Sequence, residues 1–120
     1  MDFATISTFR NLEQQAIRER YNHIYRHELA HKSAGGAYAG PIVIEKDSNG
    51  IPVGGHVSIE MPKLDKNNPD KTIAHADTVI KSAMAPGDPS EQDYKVANQA
   101  KNIKAQAENI KTKKRLDYYA

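Results

Sequence analysis

The sequence predicts a single α+β domain in which one long helix packs with a β-hairpin and two further helices. Three observations support this fold class. Apolar residues recur at helical spacing near both ends of the chain, a β-branched run and an alternating run flank a turn signal in the middle, and proline or glycine separates the segments. With 120 residues the chain is long enough for one domain, residues 1–120, with a core at about residues 7–113.

The first predicted helix runs from about Ser7 to Ala34. One side of it carries a stripe with steps of three and four residues, and Ser7 is suited to cap its start. The stripe consists of Phe9, Leu12, Ala16, Ile17, Tyr21, Ile24 and Glu28. Gly35 and Gly36 predict the end of the helix, because glycine readily adopts the left-handed conformation that closes a helix.

A β-hairpin is predicted at about residues 41–46 and 52–61. The β-branched run Ile42–Ile44 precedes the turn signal Asp47–Gly50, and apolar and polar residues then alternate. Gly54-Gly55 indicates a return strand that is bulged or close to another backbone. Ile42–Ile44 either covers the long helix or offers an edge to an extended peptide, and both interpretations stay open.

Two further helices are predicted at about residues 70–85 and 90–113, separated by the helix-breaking run Pro86–Pro89. Ser90 and Asp93 have the spacing of a capping box. The last helix carries apolar residues at four-three spacing, namely Val96, Ala100, Ile103, Ala107 and Ile110. We interpret this seam as core packing, and a helical interaction module that binds no metal is the alternative.

Composition excludes several classes of protein. The absence of cysteine excludes a disulfide framework and a thiolate metal site. A net charge of +2 is too small to indicate nucleic-acid binding, and the basic run Lys111–Arg115 suits the negative end of a helix dipole. Neither a signal peptide nor a membrane span is recognisable, so we expect a cytoplasmic protein without nucleic-acid or membrane partners.

The run from His27 to His31 has the pattern HExxH and predicts a zinc site. Residues four apart on a helix lie one above the other, so both imidazoles can reach one ion. Glu28 lies beside His27 and would act as general base toward a zinc-bound water. The sequence therefore predicts Zn²⁺ as cofactor and hydrolysis of a peptide bond.

A catalytic zinc site needs a third protein ligand, with water in the fourth position. His56, on the return strand of the hairpin, is the first candidate, and Glu60 is the second. His75, His23 or another carboxylate are further alternatives. The metzincin pattern would require Gly at position 34 and His at position 37, and this chain has alanine at both.

Four runs of this sequence resemble the core of a bacterial family called SprA-related, whose members are described as candidate metalloproteases. They are His27–Gly40, Val53–Glu60, Thr72-Ile73 and Ala83–Asp93, and the resemblance covers roughly residues 24–110. It implies a minimal zincin-like domain in which His27 and His31 bind the metal and Glu28 is the base. The chain departs from the family at His56, where glutamate is more usual.

The sequence thus predicts a zinc metallopeptidase with a peptide or protein substrate. Tyr38 follows the glycine pair and is a candidate for stabilising the oxyanion that forms on the attacked carbonyl, or else an ordinary packing residue. The alternative function is a structural zinc-binding domain without turnover that acts as a protein-interaction module. The sequence leaves substrate preference and oligomeric state open.

Overall fold

The computed structural model describes residues 2–119, in which three helices and one two-stranded sheet follow one another along the chain. The α+β class is therefore confirmed. The elements are α1 (Phe3–Gly35), a 3-10 turn (Gly36–Tyr38), β1 (Ala39–Lys46), β2 (Pro52–Ile59), α2 (Pro69–Ala83) and α3 (Glu91–Tyr119). Met1 and Ala120, which belong to the predicted domain, lie outside the described residues. Within the described part of the chain, no helix has the length and apolar character needed to cross a bilayer.

Helix α1 begins at Phe3 rather than Ser7, because Asp2 caps it. The Asp2 carboxylate accepts a hydrogen bond from the Thr5 backbone N–H at 2.8 Å, which satisfies one of the free donors of the first turn. The other end is as predicted. Gly36 has a φ of 55°, and its N–H donates to the Lys32 carbonyl, which closes the helix.

The β-hairpin pairs antiparallel, with Val43 opposite His56 and Ile44 opposite Gly55. Both strands pack on α1. The close approach predicted at Gly55 is confirmed, because a Cβ there would lie 2.8 Å from Ile24 Cγ2 and 3.0 Å from Glu28 Cγ. Glycine at this position therefore lets the β2 backbone lie directly against the HExxH segment of α1.

The interface between α2 and α3 forms the apolar core. Its fully buried side chains are small, so the two helices lie close together; they are Ala76, Val79, Ala83, Ala97, Ala100 and Ala107. Ala100 and Ala107 of the four-three seam of α3 are buried in this core, as predicted, whereas Val96, Ile103 and Ile110 are only partly buried. Helix α1 joins the core through a buried hydrogen bond of 2.6 Å from the Ser82 hydroxyl to the His31 carbonyl.

The helix predicted from the apolar stripe is confirmed, but the first half of the stripe is largely exposed. Phe9 is 53% exposed and Leu12 is 56% exposed, and every residue of the N-terminal arm, residues 3–20, is exposed or only partly buried. The chain is accordingly 87 Å long and only 20 Å across. The buried residues of α1 are Glu28, His31 and Gly35, all near its C-terminal end.

Candidate metal centre

The two histidines of the HExxH run converge near the C-terminal end of α1. Their rings are 4.9 Å apart between centroids and meet edge to face, at 77°. The Nε2 atoms of His27 and His31 are 3.2 Å apart. The side chains thus point to the same place, as their spacing on the helix requires.

A carboxylate from the start of α3 completes this group. Asp93 lies with Oδ2 3.3 Å from His27 Nε2 and Oδ1 3.1 Å from His31 Nε2. A capping box holds it, because the Ser90 N–H donates to Asp93 Oδ2 at 2.8 Å and the Asp93 N–H donates to Ser90 Oγ at 3.1 Å. The predicted capping box is confirmed, and it directs the carboxylate to both imidazoles.

The outer ring nitrogens of both histidines meet groups that accept hydrogen bonds. His31 Nδ1 lies 2.8 Å from the Ser82 carbonyl oxygen, and His27 Nδ1 lies 3.1 Å from Asp88 Oδ1. Since a carbonyl and a carboxylate only accept, both Nδ1 atoms carry the proton. The hydrogen bond from His27 lowers the pKa of the Asp88 carboxyl. In the neutral imidazoles the Nε2 atoms therefore present lone pairs to the inside of the group.

Lone pairs from three side chains thus face one another, and only a cation or added protons can relieve their repulsion. Ligand atoms about 2.0–2.1 Å from a tetrahedral zinc ion lie roughly 3.3 Å from one another. The Nε2 atoms of His27 and His31 are 3.2 Å apart, and each lies 3.1–3.3 Å from a different carboxylate oxygen of Asp93. The donor set and its spacing therefore fit a zinc ion, and His27, Glu28 and His31 together could also hold a metal ion.

Glu28 is the second charged group of the centre. It is only 6% exposed, and its carboxylate lies within 4.8 Å of the ligand atoms of both histidines. Burial raises the pKa of the Glu28 carboxyl, although the imidazoles of His31 and His27 act in the opposite direction. A carboxylate in such a place can accept a proton from a water molecule beside it.

A cavity of about 500 Å³ opens onto this group between β2 and α3. His56 lines the cavity but does not join the cluster, because its Nδ1 atom lies 3.0 Å from Glu45 Oε1 on the neighbouring strand. The predicted third ligand thus lies on the cavity wall, and Asp93 takes the place next to the two imidazoles.

The remaining candidate residues lie elsewhere. Glu60 and His75 are joined by a hydrogen bond of 2.7 Å from His75 Nε2 to the Glu60 carbonyl. Tyr38 stacks on His75 with a centroid distance of 3.7 Å, so the 3-10 turn directs it into a second cavity, not to the candidate metal centre. His23 is a surface residue, with 76% of its side chain exposed and Nε2 4.0 Å from Asp88.

Asp93 is the residue that sequence reasoning did not single out as a ligand. The alternatives for the third ligand included an unspecified carboxylate, which covers Asp93. From the sequence, Asp93 itself was identified only as part of a capping box. It follows His31 by 62 positions, so only the packing of α3 brings the two together. The available signal was the capping box itself, which fixes a carboxylate at a helix start directly after a helix-breaking run.

One comparison with known proteins identifies a family. The model of the SprA-related family matches residues 7–117. No curated protein and no solved structure matches the chain significantly.

Proposed function

Because this chain belongs to the SprA-related family and brings two imidazoles and a carboxylate to one point, we propose that it is a zinc metallopeptidase. The observation that carries the proposal is the convergence of lone pairs. His27 and His31 are each held with Nδ1 outward, and both inner nitrogens face the carboxylate of Asp93. We assign these three side chains as the ligands of a minimal zincin-like centre.

When bound, zinc supplies a Lewis acid that lowers the pKa of a nearby water and polarises the carbonyl of a substrate. Glu28 takes the proton of the attacking water and passes it to the leaving amine, for which its burial and raised pKa suit it. His56, fixed by Glu45 on the cavity wall, faces the peptide substrate. The cavity is open, so a polypeptide can reach the centre.

The function is tested with zinc-loaded protein and a peptide library analysed by mass spectrometry. We expect cleavage by the wild type and none by Glu28→Gln, because glutamine cannot accept the proton. Zinc content of the two proteins, measured by elemental analysis, should be equal. Identical cleavage patterns in the two samples, or no cleavage in either, would end the peptidase proposal.

The ligand set has its own test, in which Asp93→Ala is compared with the matched variant His56→Ala. Loss of a direct ligand should weaken zinc binding by more than the 10- to 100-fold typical of groups that only orient ligands. We expect this loss for Asp93→Ala and a change within about threefold for His56→Ala, both measured by competition with a chromogenic chelator. The reverse order would make His56 the third ligand.

A structural zinc site is a second candidate, because Glu28 is close enough to the imidazoles to serve as a fourth protein ligand. In that case Glu28→Gln would weaken zinc binding, whereas a general base can be replaced without this loss. The cobalt-substituted protein distinguishes the two further. A small hydroxamate should change its visible spectrum if a coordination position is open, and should leave it unchanged if four side chains fill the site.

A further inference from the structure

A second cavity of about 620 Å³ lies between the segment that follows β2 and the start of α2. Its aromatic wall is well held. The rings of Tyr38 and His75 stack almost flat, 13° apart, and His75 donates to the Glu60 carbonyl. The cavity thus has a fixed aromatic surface on one side.

The other side of this cavity is basic. Lys63, Lys66 and Lys71 line it and are exposed, and none of them forms an ion pair with another described residue. Two carboxylates, Asp65 and Glu60, also face the cavity.

The two carboxylates differ in their hydrogen bonds, although both carry a negative charge. The Asp65 carboxylate already accepts hydrogen bonds of 3.0 Å from the backbone N–H groups of Asn67 and Asn68, so it stabilises its own turn. Lys114 donates to the Lys66 carbonyl and adds another ammonium group near the rim. Three lysines without an ion-pair partner among the described residues therefore face two carboxylates, which leaves the lining with a net formal charge of +1.

This basic cavity adjoins the candidate metal centre. Met61 lines both this cavity and the cavity at the candidate metal centre. It follows β2, whose residues line the cavity at the metal centre, and it precedes the loop that lines the second cavity. A polypeptide that lies beside the metal centre can therefore continue past Met61 into the basic cavity.

We propose that the second cavity binds an acidic segment of the polypeptide substrate, whose carboxylates pair with Lys63, Lys66 and Lys71. The three ammonium groups are spread over a loop and a helix turn, which suits several carboxylates along a flexible chain better than one small anion. The stacked rings of Tyr38 and His75 contact the aliphatic parts of the same segment. That this segment belongs to a substrate rests on the proposed function, whereas binding itself does not.

Binding is measured by fluorescence anisotropy on zinc-loaded Glu28→Gln protein, which holds a peptide without cleaving it. The probes are a labelled ten-residue Gly/Glu peptide and a Gly/Gln peptide of the same length. We expect the acidic peptide to bind and the triple variant Lys63→Gln/Lys66→Gln/Lys71→Gln to weaken it roughly tenfold. Binding should also weaken as salt is added.

The matched control is Lys81→Gln/Lys95→Gln/Lys101→Gln, which removes the same charge from exposed positions outside the cavity. It should keep binding within about twofold, since distant exposed charges are screened. If both triple variants weaken binding of the acidic peptide equally, the effect depends on net charge alone, and the proposal is overturned. Chemical shifts locate the site as well, and the acidic peptide should move the His75 ring signals and not those of His23.

Measurements of peptide cleavage distinguish a failure of the proposed binding site from a failure of the proposed peptidase activity. If a cleavable peptide is found, an acidic extension should raise its kcat/KM in the wild type and not in the cavity variant. Acidic peptide bound in the cavity without cleavage of any peptide would refute the peptidase and leave the binding site. If a peptide is cleaved equally well with and without the acidic extension, and the acidic peptide does not bind, the binding site alone is refuted.

Discussion

The two halves of helix α1 differ in burial: the inner half buries polar side chains, whereas the outer half exposes apolar ones. The inner half, residues 24–35, buries Glu28 and His31, which are 6% and 7% exposed. The N-terminal arm exposes Phe9 and Leu12 by more than half. Burial along this helix therefore follows the partners that gather around it, which are the hairpin, α2 and the start of α3.

The inner half of α1 buries polar side chains that have hydrogen-bond or ion-pair partners on other elements. Burying a polar group is costly unless it finds a partner, so helices ordinarily bury apolar side chains. Here every buried side-chain N or O atom in the described part of the chain has one. His31 contacts the Ser82 carbonyl and Asp93, and His27 contacts Asp88 and Asp93. Helix α1 thus buries His31 and Glu28 while it exposes Phe3 and Phe9, so its burial is concentrated at the candidate metal centre.

The largest contrast is expected between two histidines of this one helix. His31→Ala removes a proposed ligand and should weaken zinc binding by more than about 100-fold, whereas His23→Ala changes an exposed residue and should leave zinc binding unchanged. The thermal midpoint should rise with added zinc in the wild type and in His23→Ala, and not in His31→Ala. Equal zinc responses in all three proteins would remove the distinction between the two halves.

The contact between β2 and the inner half is tested at Gly55. A Cβ at this position would lie 2.8 Å from Ile24 and 3.1 Å from the Val43 carbonyl, so Gly55→Ala should lower the free energy of unfolding by about 1–3 kcal/mol. Gly87 is the control, because a Cβ there meets nothing within 4 Å. Urea unfolding of both variants measures the difference, and equal stability would mean that the strand does not press on α1.

Substitutions on the arm should be almost silent. Phe9→Ser with Leu12→Ser should change the free energy of unfolding by less than about 0.5 kcal/mol and leave zinc affinity unaltered, because both side chains are already in water. Denaturant titrations at two protein concentrations check this. A large loss of unfolding free energy that depends on protein concentration would show that a second copy of the chain covers the arm.

The smallest effect is expected at the first turn of the arm. The hydrogen bond from the Thr5 N–H lowers the pKa of Asp2 below its usual 3.8, so the ionised cap favours the helix. This contribution is present above the unfolded pKa and is lost as the pH falls through the folded one. The protection factor of the Thr5 amide, which is its exchange rate corrected for the intrinsic pH dependence, should therefore fall below about pH 4 and stay constant around neutrality. Asp2→Asn should remove the pH dependence.

Much of this fold could be predicted from local pattern. The Gly-Gly stop, the hairpin turn, the capping box and the seam of α3 each depend on residues near one another in sequence, and the structure confirms all four. The start of α1 was wrong because Asp2 and Ser7 are both good caps, and the hydrogen bond to Thr5 decides between them. Periodicity could not indicate which part of the stripe has a partner.

The candidate site could be predicted only in part, for a similar reason. His27, Glu28 and His31 share one helix, so spacing alone brings them together. The third group had to come from elsewhere, and sequence favoured His56 because it follows soonest on a strand. Pairing across the hairpin turns His56 to Glu45, and helix packing delivers Asp93. Tyr38 stacks on His75, the packing role that the sequence left open, and its part in oxyanion stabilisation stays a prediction.

The shared carboxylate of Asp93 gives an experimenter a spectroscopic reporter. Its Oδ2 atom accepts the Ser90 N–H and also lies next to His27, so any change of occupant at the centre alters the electron density that this amide proton feels. In a nitrogen-15-labelled sample, the Ser90 cross-peak should move as zinc is titrated in or chelated. Occupancy can thus be followed at one resonance, before any substrate is known.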